Sequence, residues 1–147
     1  MKWTHQNIII NSVRDLPEDA YGFVYCITFD DNKKYIGKKN IYTFVTVPAL
    51  KSGKSRPNVA YRIGKNVNGK RKYYDAIKKE SNWMTYESSK KDTEGRKVKS
   101  KEILEFVTSK RALTYLEARY LFEFRCIESD EYINNNILGK FFRDNLI

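Results

Sequence analysis

The 147 residues, 41% hydrophobic and 14% aromatic, have the composition of one globular domain, long enough to bury roughly two thirds of its unfolded surface. With no apolar run near the about 18 residues of a membrane span and no signal-peptide pattern, a soluble protein acting where it is made is expected. The charge is +10, and residues 33–110 alone hold 21 basic against 7 acidic side chains, the footprint of a polyanionic partner.

Residues 1–20 read as an N-terminal extension in which Trp3, Ile8, Ile10 and Val13 suggest an edge strand stopped by Leu16-Pro17. Residues 21–29, Tyr-Gly-Phe-Val-Tyr-Cys-Ile-Thr-Phe, are aromatic and β-branched without a charge, which predicts a strand buried on both faces. Asp30-Asp31-Asn32 is turn chemistry, and Lys33 to Lys39 a second strand, so the two form a β-hairpin. The odd-length turn places Tyr25 and Tyr35 on one face, with Lys38 and Lys39 at the exit.

Ile41 to Val47 alternates weakly, as an extended segment or part of a loop. From Pro48 to Lys72 the chain turns to Gly, Ser, Asn, Pro, Lys and Arg, which predicts a long basic loop or arm. Its charge, interleaved with aromatic rings, suits DNA, and Arg56, Arg62, Lys70, Arg71 and Lys72 are its candidate contacts. Lys72 to Glu80, with Tyr74 and Ile77 three apart, reads as a short helix. Trp83 and Tyr86 follow, either as further DNA contacts or as caps on the core beneath the loop.

Lys101 to Val107 is the third expected strand. Thr108 or Ser109 then caps a helix over about 110–127, on which Leu113, Leu116, Tyr120, Leu121 and Phe124 follow helical spacing. Cys26 and Cys126 fall inside a strand and this helix with no neighbour at metal-ligand spacing, so both read as buried reduced thiols. Glu117 lies within the apolar stripe of the helix. A carboxylate there is costly unless compensated, either by a buried lysine or by a partner such as Arg119, or by a hard divalent cation.

Three of these segments together resemble the GIY-YIG nucleases: Val24-Tyr25 with Tyr35-Ile36-Gly37, then Tyr115-Leu116-Glu117-Ala118, then Tyr132-Ile133-Asn134. The Tyr-Ile-Gly-Lys-Lys, Trp-x-x-Tyr…Ser-Ser and Tyr-Leu-Glu-Ala segments are most similar to the phage Seg-type homing endonucleases. The resemblance spans about 21–137, and residues 138–147 form a C-terminal segment. It implies an α+β domain, a central, mainly antiparallel three-stranded sheet flanked by helices. It further implies a Mg²⁺-dependent DNA endonuclease, phage-encoded, of the homing or DNA-degrading type, working in the host cytoplasm. Monomer and homodimer are both left open.

In that reading Glu117 holds the metal, and Asn134 orients the site by hydrogen bonds. Tyr25 deprotonates the water once its pKa of about 10 has fallen. Tyr35 with Lys38 or Lys39 positions the phosphate, and Gly37 is the motif glycine. Many members carry an arginine and, one turn later, a tyrosine or histidine on the helix after the hairpin. Arg62, Arg71 and Lys78 are the candidates here, without a clear pair. The rival reading is a basic nucleic-acid-binding module on the same fold that has lost cleavage.

Overall fold

The computed structural model describes residues 1–88, 93 and 95–146, and Ser89 of the expected Ser-Ser pair lies outside them. The strands in chain order are β1 (Trp3–His5), β2 (Ile8–Ile9), β3 (Gly22–Phe29), β4 (Lys34–Asn40), β5 (Tyr42–Pro48), β6 (Val59–Val67), β7 (Lys70–Glu80), β8 (Val98–Val107), β9 (Asn136–Ile137) and β10 (Phe141–Phe142), and helix α1 spans Lys110–Glu123. They sort into two units, Met1–Ile41 with Asn82–Ile147, and Tyr42–Ser81.

The first unit is an α+β domain on a five-stranded sheet ordered β2-β1-β8-β3-β4. Its antiparallel centre, β8-β3-β4, is the three-stranded sheet expected from the sequence. The N-terminal residues widen it: β1 lies parallel to β8, with Trp3 opposite Lys101, and β2 turns back as the far edge. The uncharged β3 is central and buried on both faces, as a run of apolar residues requires.

Alternation then divides the core. Val24 and Ile36 meet Leu113, Leu116 and Leu121 of α1, together with Cys126, Ile127 and Ile137. The opposite face is aromatic: Trp3, Phe23, Tyr25 and Trp83 are all within 1% of complete burial and pack edge to face. Helix α1 approaches its sheet closely because residue 22 has no side chain; a Cβ there would lie 2.8 Å from a Leu113 methyl.

Ser109 caps α1, its hydroxyl accepting from the Ala112 N–H at 3.1 Å. The helix stops at Glu123, short of Ile127. Arg125 turns left-handed at φ 51°, and the Cys126 N–H reaches back to the Leu121 carbonyl at 3.0 Å, a Schellman ending. Cys126 is therefore buried just past the helix, and both thiols are free.

The second unit is a three-stranded antiparallel sheet, β5-β7-β6, where the sequence suggested a loop and a short helix. Residues 70–80 pair along both sides, and those ladders outweigh one helical spacing between Tyr74 and Ile77. The Asn68-Gly69 turn between β6 and β7, at φ 51° and 80°, is the overlooked signal, since these residues favour the tight turn of a hairpin. Few apolar side chains are needed: Ala76 and Asp75 are the residues fully buried among those described here. Asp75 accepts from Arg62 Nε at 2.8 Å and Arg56 Nη1 at 3.2 Å.

Candidate active site

The hairpin turn is made by Asp30, Asp31 and Asn32. Asp31 accepts the Lys33 N–H, and Asn32 takes φ 64°, which asparagine tolerates. With Ile27 opposite Tyr35 and Tyr25 opposite Gly37, both tyrosines are on one face, ring centroids 6.4 Å apart. Gly37 is what allows this. A Cβ at residue 37 would sit 2.5 Å from Tyr25 Cζ and 3.0 Å from Tyr35 Cε1, so the Tyr25 phenol lies across a bare backbone.

Tyr35, Ile36, Lys38, Glu117, Leu121 and Asn134 are among the residues that line a cleft of about 200 Å³ beside β4. Lys38 donates to Thr114 Oγ1 at 3.1 Å, one helical turn before Glu117. The Glu117 carboxylate makes no hydrogen bond or ion pair with any described residue. Arg119, the partner weighed from sequence, instead faces Glu105 at 3.6 Å and Glu123 at 3.5 Å. Partial burial raises the Glu117 pKa, and the positive charge of Lys38 partly opposes the rise.

Among the described residues no three His, Cys, Asp or Glu side chains cluster as metal ligands. The donor set fits Mg²⁺ nonetheless. One carboxylate in no ion pair with a described residue, in a polar cleft with room for water, is how that ion is commonly bound.

Asn134 is buried and braces the edge strand. It accepts the Ile36 N–H at 3.0 Å and donates to the Ile36 carbonyl at 2.8 Å. The segment before it runs beside β4, bridged at Lys34 and Tyr132. Arg143 holds that segment from behind, its guanidinium donating to the carbonyls of Cys126, Ser129, Tyr132 and Asn134 at 2.5–3.0 Å. Sequence reasoning passed over Arg143, because a side chain gathering carbonyls has no local pattern.

Tyr25 does not line the cleft. It is 1% exposed, between Trp3, Tyr35 and Tyr86. Burial pushes its phenol well above 10.0, opposite to the direction that the expected role as base requires. The nearby Ser88 hydroxyl is buried, lacks a hydrogen bond of full geometry, and pulls the other way. Lys39 shares this aromatic side, its ammonium 4.2 Å from the Tyr86 ring centre, and burial lowers its pKa.

Of the two readings of Trp83, the DNA contact is corrected and the core residue is what the structure shows. It is completely buried, and its carbonyl accepts the Trp3 indole N–H at 2.6 Å. Tyr86 is half-buried beneath Lys39. The adjoining loop is fixed by Lys101, a buried lysine donating to the carbonyls of Met84 and Tyr86.

In the second unit Arg56 and Arg62 are committed to Asp75, whose pKa they hold down, Arg62 foremost. Lys70, Arg71 and Lys72 are exposed near the Asn68-Gly69 turn. Arg62, Arg71 and Lys78 all lie on strands, so none occupies a helix following the hairpin.

A family model described as "Putative endonuclease segE, GIY-YIG domain" matches residues 3–137. No curated protein and no solved structure matches the chain.

Proposed function

The chain belongs to the GIY-YIG nuclease family, in its Seg-type branch, and on that premise we propose that it is a Mg²⁺-dependent endonuclease hydrolysing DNA phosphodiesters. The observation that carries the reading is the partly buried Glu117 carboxylate, in no ion pair among the described residues and with Lys38 as its nearby positive charge, sharing one cleft with Tyr35, Lys38 and Asn134. Its branch supports a phage-encoded enzyme of the homing or DNA-degrading type, acting in the cytoplasm of the host cell.

Glu117 is the residue to hold the metal, which when bound polarises the phosphate and stabilises the leaving oxygen. Lys38, at the cleft wall, neutralises charge gathering on the phosphoryl oxygens. Tyr35 takes over the water-facing role expected of Tyr25. Tyr35 is among the residues lining the cleft, whereas Tyr25 is buried and is not. As a base, Tyr35 would need positive charge beside it, which Lys38 and a cation held by Glu117 would supply. Asn134 fixes Ile36, and so the direction of the Tyr35 and Gly37 backbone on either side. Lys39 and Tyr86 support the Tyr25 ring, and Lys70, Arg71 and Lys72 form an exposed basic stretch that attracts DNA.

Purified protein incubated with supercoiled plasmid in Mg²⁺ should nick or linearise it, and EDTA, Glu117→Gln and Tyr35→Phe should each stop the reaction. The burial of Tyr25, away from the cleft, favours the second reading, a binding module without cleavage. Salt-sensitive DNA binding with no metal-dependent cutting by the wild type would establish that module instead.

A further inference from the structure

Beyond the Ala49 N–H bond to the Tyr73 carbonyl, β5 ends, and β6 and β7 continue as a two-stranded ribbon. Three rungs remain, Lys65 opposite Lys72, Asn66 opposite Arg71 and Val67 opposite Lys70, closed by Asn68-Gly69. With the turn this is roughly 12 Å of ribbon at about 3.3 Å per residue. Every side chain from 65 to 72 is exposed except the half-buried Val67, and the stretch has four cations and no acid.

These choices work against the fold. Like charges directly opposite on paired strands destabilise them, and an uncovered two-stranded ribbon is marginal in water. Local disagreement of this kind marks function more often than structure. The two faces also differ. Lys65, Lys70 and Lys72 share one with Val67, whereas Asn66 and Arg71 share the other.

Arg71 is held in place before any partner arrives. Its guanidinium lies over Gly64, where a Cβ would come within 2.6–2.8 Å of three of its atoms. It is 6.0 Å from the centre of the Tyr73 ring, and Nη1 donates to Asn66 Oδ1 at a long 3.4 Å. A fixed guanidinium loses less freedom on binding than a mobile one.

We propose that this ribbon tip enters the major groove of duplex DNA, with Arg71 and Asn66 turned to base edges and Lys65, Lys70 and Lys72 to phosphates, and so selects where the enzyme cuts. The proposal rests on the DNA endonuclease reading. The groove, about 12 Å wide and about 8.5 Å deep, admits a two-stranded ribbon of this reach. Arginine pairs bidentately with guanine and asparagine with adenine, whereas lysine suits phosphate as a point charge.

The test uses the full chain as wild type, Asn66→Ala/Arg71→Ala, Lys65→Gln/Lys70→Gln/Lys72→Gln, and Gly64→Ala, each checked for folding by thermal melting. Affinity for duplex and single-stranded DNA is measured in EDTA across a salt series, and plasmid ends cut in Mg²⁺ are sequenced. The triple-glutamine variant should weaken duplex binding at all sequences and reduce the log–log salt slope by about 3. The Asn66/Arg71 variant should cut with altered sequence preference at the ends. Gly64→Ala removes no charge and should reproduce part of that change by displacing Arg71. If the wild type cuts and all three variants match it in slope and end sequence, or if single strands outcompete duplex, the ribbon proposal is overturned while the nuclease reading stands. If the wild type neither binds nor cuts DNA, both fall together.

Discussion

The side-chain amide of Asn134 takes both backbone groups of Ile36, accepting its N–H at 3.0 Å and donating to its carbonyl at 2.8 Å. A side chain here does the work of a neighbouring strand, and Arg143 secures the Asn134 carbonyl in turn. Asn134→Ala should destabilise the protein by about 2 kcal/mol, two net hydrogen bonds, and depress cutting further than the lost stability explains. Asn134→Asp keeps the acceptor and loses the donor. Denaturant melts beside kcat would check it; full activity in a folded Asn134→Ala protein would remove Asn134 from the site.

Glu117 separates stability from activity. Its carboxylate is partly buried and only partly offset by Lys38, so Glu117→Gln relieves the cost of burying that charge. The melting temperature should hold or rise, while metal-dependent kcat falls on the order of a hundredfold or more. A variant that melts earlier and still cuts would show the carboxylate to be structural.

Gly37→Ala tests the packing of the two phenols. The new methyl would collide with the Tyr25 ring and hydroxyl, and overpacking of this kind costs about 1–3 kcal/mol. Near-ultraviolet circular dichroism should report disturbed tyrosines, with reduced cutting. An unchanged spectrum would mean that the Tyr25 ring does not cross Gly37 in solution.

Burial lifts the Cys26 thiol to about 11 and the Cys126 thiol to about 12, from 9.0 when exposed. Below pH 9 folded and unfolded chains both keep these protons, and stability does not depend on them. As pH rises beyond 9 the unfolded chain ionises first, so stability declines until the folded thiols ionise in turn. Tyr25, pushed well above 10.0, adds to the same alkaline loss. Urea midpoints should fall between pH 9 and 11, less steeply in Cys26→Ala; a flat profile there would contradict the burial of these groups.

Asp75 draws two arginines over the second unit's sheet, and they lower its pKa. The stability it contributes is therefore present above the ordinary carboxylate range and is lost as pH falls through the depressed value. Asp75→Asn should loosen β5, β6 and β7 selectively, read as faster amide exchange at 42–81 with 98–107 unchanged. Uniform exchange across both stretches would argue against a local role.

Local chemistry is what made parts of this fold readable from sequence. The uncharged run ending at Phe29, the Asp-Asp-Asn turn and the Ser109 cap each act within a few residues, and the hairpin and helix follow from them. The second unit was hidden because Asp75 and two arginines replace an apolar core, leaving strands that read as solvated loop. Trp83 stayed open between core and DNA for the opposite reason: in an irregular stretch, nothing local tells a core ring from a surface one. Glu117 stood out because a charge interrupts its stripe. The side of the sheet that buries Tyr25 depends on what β1 and residues 82–88 pack against it, which no spacing within the hairpin specifies.

The five-stranded sheet ends in β4 on one side and β2 on the other, and each end discourages a stranger from joining. At β4, Asn134 and the Tyr132 bridge already use backbone groups that an incoming chain would need. At β2, Ile8 and Ile9 stand 67% and 56% exposed, an adhesive pair, yet the strand is only two residues long. Brevity guards one border and a borrowed amide the other, so the residue that shapes the cleft also leaves fewer open backbone groups along that border.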